Sequence, residues 1–197
     1  MVNFSSRELR DLLVAWLALG LAFSLLYVPV SVTTITDVLA SAVFLEEFAL
    51  SLATVGVAFL LHELAHKVVA VHFGQHAEFR ADFGMLALAV AGGLAGFLFA
   101  APGAVHHRGR ITPREHGLIA LAGPLTNVAL AVVSLGVFVV APDIGWRGLF
   151  INVLLAGFNM IPFGPLDGAT VLQWNKAVYA AAAVITIGPA LVLFLGV

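Results

Sequence analysis

Cysteine is missing from all 197 residues. That one absence removes disulfides, thiolate metal sites and a cysteine nucleophile together, so any metal chemistry rests on His, Asp and Glu. Charge is scarce as well: nine Lys and Arg against eleven Asp and Glu leave a formal net charge of -2. No basic stripe of the kind that tracks a phosphate backbone is present, which argues against nucleic acid as a partner. Ser/Gly linkers, low-complexity tracts and internal repeats are also lacking, and the chain reads as one domain over 1–197.

What fills the chain instead is apolar. Hydrophobic residues make up 61% of it, mean hydropathy is +1.07, and runs of membrane-spanning length recur. The fold class expected is an all-α polytopic membrane protein with about six apolar segments, at roughly 9–32, 48–73, 83–101, 117–141, 147–163 and 176–197. Arg7 and Arg10 before the first run resemble a signal peptide, but the run continues to about Val32 without a small-residue cleavage site and reads as a retained span. Basic residues fall on both sides of the segments, so the positive-inside rule assigns no orientation.

The stretch 61-LHELAHK-67 places two histidines, a glutamate and a lysine inside an apolar run. Ionisable groups at such depth cost several kcal/mol each and mark function by default. His62 and His66 are at i and i+4, one turn apart on one helical face, the spacing at which two imidazoles grip a tetrahedral zinc. Glu63 beside them is placed to take a proton from water. The bland alternative is a polar cluster that glues helices or relays protons, as in a transporter.

A catalytic zinc commonly takes three protein ligands and keeps a fourth position open. The third candidate is Asp167 in 159-NMIPFGPLDG-168, where two prolines and two glycines break the apolar run. Asp167 reads equally well as a cap of the next helix. Asn159, close to that break, could orient a scissile carbonyl or hold an oxyanion. Asn127 in 123-GPLTN-127 reads first as an interhelical hydrogen-bond donor and second as a site residue.

Depth constrains topology. His62 lies about 14 residues into its segment, ~21 Å at 1.5 Å per residue, and Asp167 lies ~24 Å from the entry of the segment near 147. If they share a site, both segments run the same way, which six alternating crossings forbid. Residues 83–116 are therefore expected to make no net crossing, either as a re-entrant hairpin turned at Gly92-Gly93 or as a helix followed by a strand through Ala104.

HELAH, then AGPLTN, then NMIPFGPLDG, in this order and all in apolar segments, resemble the motifs of the site-2 protease family of intramembrane zinc metalloproteases, in its archaeal and bacterial six-span form. The resemblance covers about residues 48–175, the catalytic core. It implies one zinc per chain held by His62, His66 and Asp167, Glu63 as general acid/base, and Asn159 as substrate-binding or transition-state residue. It implies cleavage of peptide bonds in or near transmembrane segments of other membrane proteins. It also implies a re-entrant β element on the cytoplasmic side between the HELAH and AGPLTN segments, within 83–116, together with residence in the cell membrane and cytoplasmic termini. The PDZ and CBS domains of many relatives are not found in this sequence, so substrate choice falls to the membrane core or to partners. An extended substrate is expected to add along the edge of a strand at 102–111. The competing expectations are a proteolytically silent relative and a metal or proton transporter using the same His/Asp cluster.

Other polar residues receive blander readings. His72 is about 240° around the helix from His66 and off the ligand face. His76, His106, His107 and His116 read as loop polarity, Lys67 as a snorkelling side chain, and Trp16, Trp146, Trp174, Tyr27 and Tyr179 as interface anchors.

Overall fold

The structure, a computed structural model, describes residues 2–30, 34–97 and 102–196. The tails of the first and third apolar segments, at 31–32 and 98–101, and Val197 lie outside the described residues. Among the described residues, four helical stretches are long and apolar enough to cross a membrane: Ser6–Tyr27, Ala42–His72, Pro113–Val140 and Lys176–Leu195. Each covers 20 residues or more, against the roughly 20 that a 30 Å hydrocarbon core requires. Exposed Val139, Val140, Val184 and Phe194 on these helices would be costly in water and suit lipid.

Two of the six expected apolar segments, 83–101 and 147–163, are not among these four candidate spans. The 83–101 segment forms a helix of only 12 residues, Phe83–Leu94, ~18 Å long and too short to cross. The 147–163 segment falls in the 18-residue helix Pro142–Asn159, whose beginning carries Asp143 and Arg147. The fold is also not purely helical: His76–Ala81 (β1) pairs with Gly103–Arg108 (β2) in a two-stranded sheet. The β element therefore reaches outside the 83–116 window, because its first strand precedes the short helix.

Two compact units divide the chain, one made of Phe4–Leu60 and Phe79–Ala104, the other of Met1–Asn3, Leu61–Glu78 and Val105–Val197. In the first, α1 (Ser6–Tyr27) starts at Ser5, whose Oγ accepts from the Glu8 N–H at 3.1 Å. After the short α2 (Ile35–Leu39), α3 (Ala42–Ser51) continues through a π-helical turn at Leu52–Gly56 into α4 (Val57–His72). Trp16 of α1 fills the space over Gly56, where a Cβ would overlap the indole, and its Nε1–H donates to the Leu52 carbonyl at 3.0 Å. The indole supplies a partner where the π turn alters the backbone ladder. Trp16 is consequently a packing residue and not an interface anchor. Helix α5 (Phe83–Leu94) lies close on α1, with Gly93 against the Ala22 carbonyl, a small-residue contact of the sort that lets membrane helices approach.

Also in this unit, Glu8 and Asp11 are buried on one face of α1 and accept from the sheet. The Phe79 N–H donates to Glu8 Oε1 at 3.0 Å and the Ala81 N–H to Asp11 Oδ2 at 3.4 Å. Alternate residues of a strand present their N–H groups to the same edge. Two carboxylates one turn apart on a helix therefore do for this edge of β1 what a third strand would do.

The second unit holds the helices α6 (Pro113–Val140), α7 (Pro142–Asn159), the short α8 (Asp167–Trp174) and α9 (Lys176–Leu195). Helix α6 begins four residues before its apolar run because Thr112 and Glu115 form a reciprocal capping box, with Pro113 in the first turn. It packs mainly on α7 and α8, and α7 packs on α9. Buried Ala120, Leu121, Met160, Val171 and Ala182 form the core between them. Trp174 lies over Gly117, where any side chain would collide with the indole.

Candidate metal centre

Helix α4 brings His62 and His66 to one face, as the i, i+4 spacing requires, and both are buried. The third group comes from beyond the Pro/Gly-rich turn. Gly164 takes φ 62°, in the left-handed region open to glycine, and Gly168 sits so close to the Met160 carbonyl that a Cβ would collide with it. These two glycines fold the start of α8 back onto the end of α7 and carry Asp167 inward. The capping alternative for Asp167 fails, because the N-cap position is Leu166 and Asp167 is already in the first helical turn.

Asp167 Oδ2 lies 3.4 Å from Nε2 of His62 and 3.4 Å from Nε2 of His66, and the two Nε2 atoms are 3.0 Å apart. The far nitrogens are already engaged. His66 Nδ1 donates to the Ile119 carbonyl at 2.7 Å, and His62 Nδ1 faces Asn127 Oδ1 at 2.6 Å. With the protons on Nδ1, three lone pairs converge on one point. Oδ2 is buried and has no hydrogen-bond partner among the described residues. Such a cluster is poorly stable by itself in a dry interior and well matched to a cation. Ligands about 2.0–2.1 Å from a tetrahedral centre stand about 3.3 Å apart, close to the separations seen here. The donor set, two imidazoles and a carboxylate, suits zinc, and His62, His66 and Asp167 form a group able to hold a metal ion.

Space for the ion is provided by Gly123. A Cβ at this position would run into Nε2 of both histidines. Asn127, one turn on along α6, presents its amide to His62 from the same face. The AGPLTN motif thus supplies an opening and an orienting group together. Asn152 of α7 completes the surroundings: Asn127 Nδ2 donates to Asn152 Oδ1 at 2.8 Å, and Asn152 Nδ2 donates to the Gly148 carbonyl at 2.8 Å.

Glu63 is buried beside the cluster, and its Oε2 accepts from the Val105 N–H of β2 at 3.2 Å. The strand thereby fixes the carboxylate without neutralising it. Asn159 is half-buried at the end of α7 and turns its Nδ2 to the Leu155 carbonyl of its own helix at 2.9 Å; its side chain makes no hydrogen bond to the cluster. Lys67 does not snorkel. It is 1% exposed, and its Nζ donates to the Asn3 carbonyl at 2.6 Å. The rings of His107 and His116 meet edge to face at 5.4 Å, and His72 is exposed against Phe73.

Asn152 and Gly123 are the site residues that sequence reasoning missed. Gly123 opens a motif already singled out, and the i, i+4 spacing from Gly123 to Asn127 could have placed both on one face.

The chain is 41% identical over 194 residues to "Putative zinc metalloprotease MJ0611" of Methanocaldococcus jannaschii, a match covering 94% of each chain. It is 30% identical over 148 residues to "Putative zinc metalloprotease YwhC" of Bacillus subtilis, covering 61% of this chain and 66% of that one. No protein-family model and no solved structure matches it.

Proposed function

Since the chain belongs to the zinc metalloprotease family of these relatives, we propose that it is an intramembrane zinc metalloprotease of the site-2 protease type, cutting transmembrane protein substrates in or near their spans. The observation that carries this reading is the cluster of buried His62 and His66 with half-buried Asp167, two of whose members lie on a helix long and apolar enough to cross a membrane.

In this reading the three residues hold one zinc per chain. When bound, zinc supplies Lewis acidity toward a carbonyl and makes water acidic enough to be deprotonated near neutral pH. Glu63 takes that proton and later delivers it to the leaving amide nitrogen. Its anchoring by the Val105 N–H keeps the carboxylate oriented between the two transfers. Asn159 reaches a developing oxyanion after exchanging its bond to Leu155 for one to substrate. Peptide bonds in a helix are shielded by their own hydrogen bonds, so substrate is taken in extended form. An extended segment laid along β2 passes beside Glu63, and main-chain pairing with the strand would hold it there. The enzyme resides in the cell membrane with its termini in the cytoplasm.

The test is reconstitution in vesicles with a panel of single-span membrane proteins, and mapping of products by mass spectrometry. Cuts inside or next to the spans that vanish with Glu63→Gln support the reading. Cuts confined to soluble segments, or cleavage indifferent to Glu63→Gln, overturn it. Proline substitutions along Gly103–Arg108 that leave cleavage intact would remove strand pairing from the mechanism.

A further inference from the structure

His66 and His62 acquire their orientation by different means, and the difference gives Asn152 a role. A backbone carbonyl can only accept, so Ile119 admits one tautomer of neutral His66: Nδ1 carries the proton and the Nε2 lone pair faces the metal position. His62 faces the amide of Asn127, which can present either its oxygen or its NH2 group. Presented oxygen-first, it fixes the same tautomer as in His66. Presented nitrogen-first, it would draw the imidazole into the opposite tautomer and put a proton where the metal lone pair belongs.

One group that bears on this choice lies one residue further out. Asn152 is 4% exposed, and its Nδ2 donates to the Gly148 carbonyl one turn back on α7. Because that carbonyl only accepts, the Asn152 oxygen must turn the other way, toward Asn127. Asn127 is fully buried, and it answers with its NH2 group and so turns its own oxygen to His62. Every link runs in one direction, from a backbone carbonyl of α7 to the lone pair of a ligand on α4.

We infer that Asn152 is a positioning residue for the metal centre, setting the tautomer of His62 through Asn127. The inference rests on the zinc reading of the site. It gives Asn152 a role separable from helix gluing, because its effect on zinc depends on which atom Asn127 turns to His62.

The test is zinc affinity, measured on the full-length protein in detergent by competition with a chelator, in a double-mutant cycle. Asn152→Leu removes the acceptor and should weaken zinc binding on the order of 10- to 100-fold. Asn127→Asp presents oxygen whichever way it turns and has no N–H to offer the Asn152 oxygen, so in that background Asn152→Leu should cause no loss of zinc affinity. Equal losses in both backgrounds, or none in either, would overturn the inference, because a packing defect does not depend on what faces His62. If Asn152→Leu does not accumulate as folded protein, Asn152→Ser serves in both backgrounds. Its hydroxyl can still bond back to Gly148 and is too short to reach Asn127. Failure of the wild type to bind zinc would sink the site reading itself, whereas tight wild-type binding unchanged by Asn152→Leu would sink this inference alone.

Discussion

Asp167 Oδ2 and His66 Nε2 face each other at 3.4 Å, while Nδ1 on the opposite side of the same ring donates to the Ile119 carbonyl. With the His66 proton on Nδ1, the carboxylate and the imidazole stand lone pair to lone pair, and only the fold holds them together against that repulsion. The packing of α4, α6 and α8 within their unit therefore prepares a binding site in advance of the ion, as expected where ligand orientation is fixed by outer partners.

Gly123→Ala tests the space left for the ion. The added methyl meets Nε2 of both histidines, so bound zinc should fall by about tenfold or more. Alanine is the better helix former, and helical content by circular dichroism should be retained. Zinc binding at wild-type affinity would show that the cluster does not close around this point.

Glu63→Gln should separate binding from chemistry. The amide oxygen can still accept from the Val105 N–H, and the three metal-facing residues are untouched, so zinc content should equal that of the wild type. Proton transfer is lost, and cleavage should slow by about 10²- to 10⁴-fold. Single-turnover rates beside metal analysis make the comparison.

Glu8→Ala should destabilise the sheet without touching the cluster. It removes the acceptor of the buried Phe79 N–H, a loss of about 1–3 kcal/mol. Hydrogen exchange at the Phe79 amide should quicken, and Glu8→Gln, which keeps an acceptor, should exchange more slowly than Glu8→Ala. Unchanged protection at Phe79 would count against the capped edge.

Trp16→Phe keeps most of the packing over Gly56 and deletes the indole N–H that serves the Leu52 carbonyl. The expected cost is about 1 kcal/mol, read as a lowered unfolding midpoint in detergent. An interface anchor would respond to lipid thickness instead.

Much of the site was legible in the chain because ligand chemistry is tied to local spacing. HELAH is a helical face written in five letters, and LDG follows a break that only Pro and Gly make. The partners of these groups were less legible. An asparagine in an apolar helix looks the same whether it joins two helices or orients a ligand, and Asn152 stands far in sequence from everything it serves. Helix α6 was expected to begin at 117 because hydropathy registers only its apolar part, although Thr112 and Glu115 already spell a capping box. Strand β1 reads in sequence as a connection. Its alternation, with Ala77 and Phe79 buried and His76 exposed, is brief, and its partner lies beyond an intervening helix. Trp16 and Lys67 were read from general membrane preferences, and specific acceptors at Leu52 and Asn3 override those.

The central claim is that His62, His66 and Asp167 together hold a catalytic metal, and metal analysis of the purified protein tests it without any known substrate. About one zinc per chain is expected in the wild type, with strong loss in both His66→Ala and Asp167→Ala. A folded wild-type protein with no bound metal, or zinc retained in full by Asp167→Ala, would contradict it.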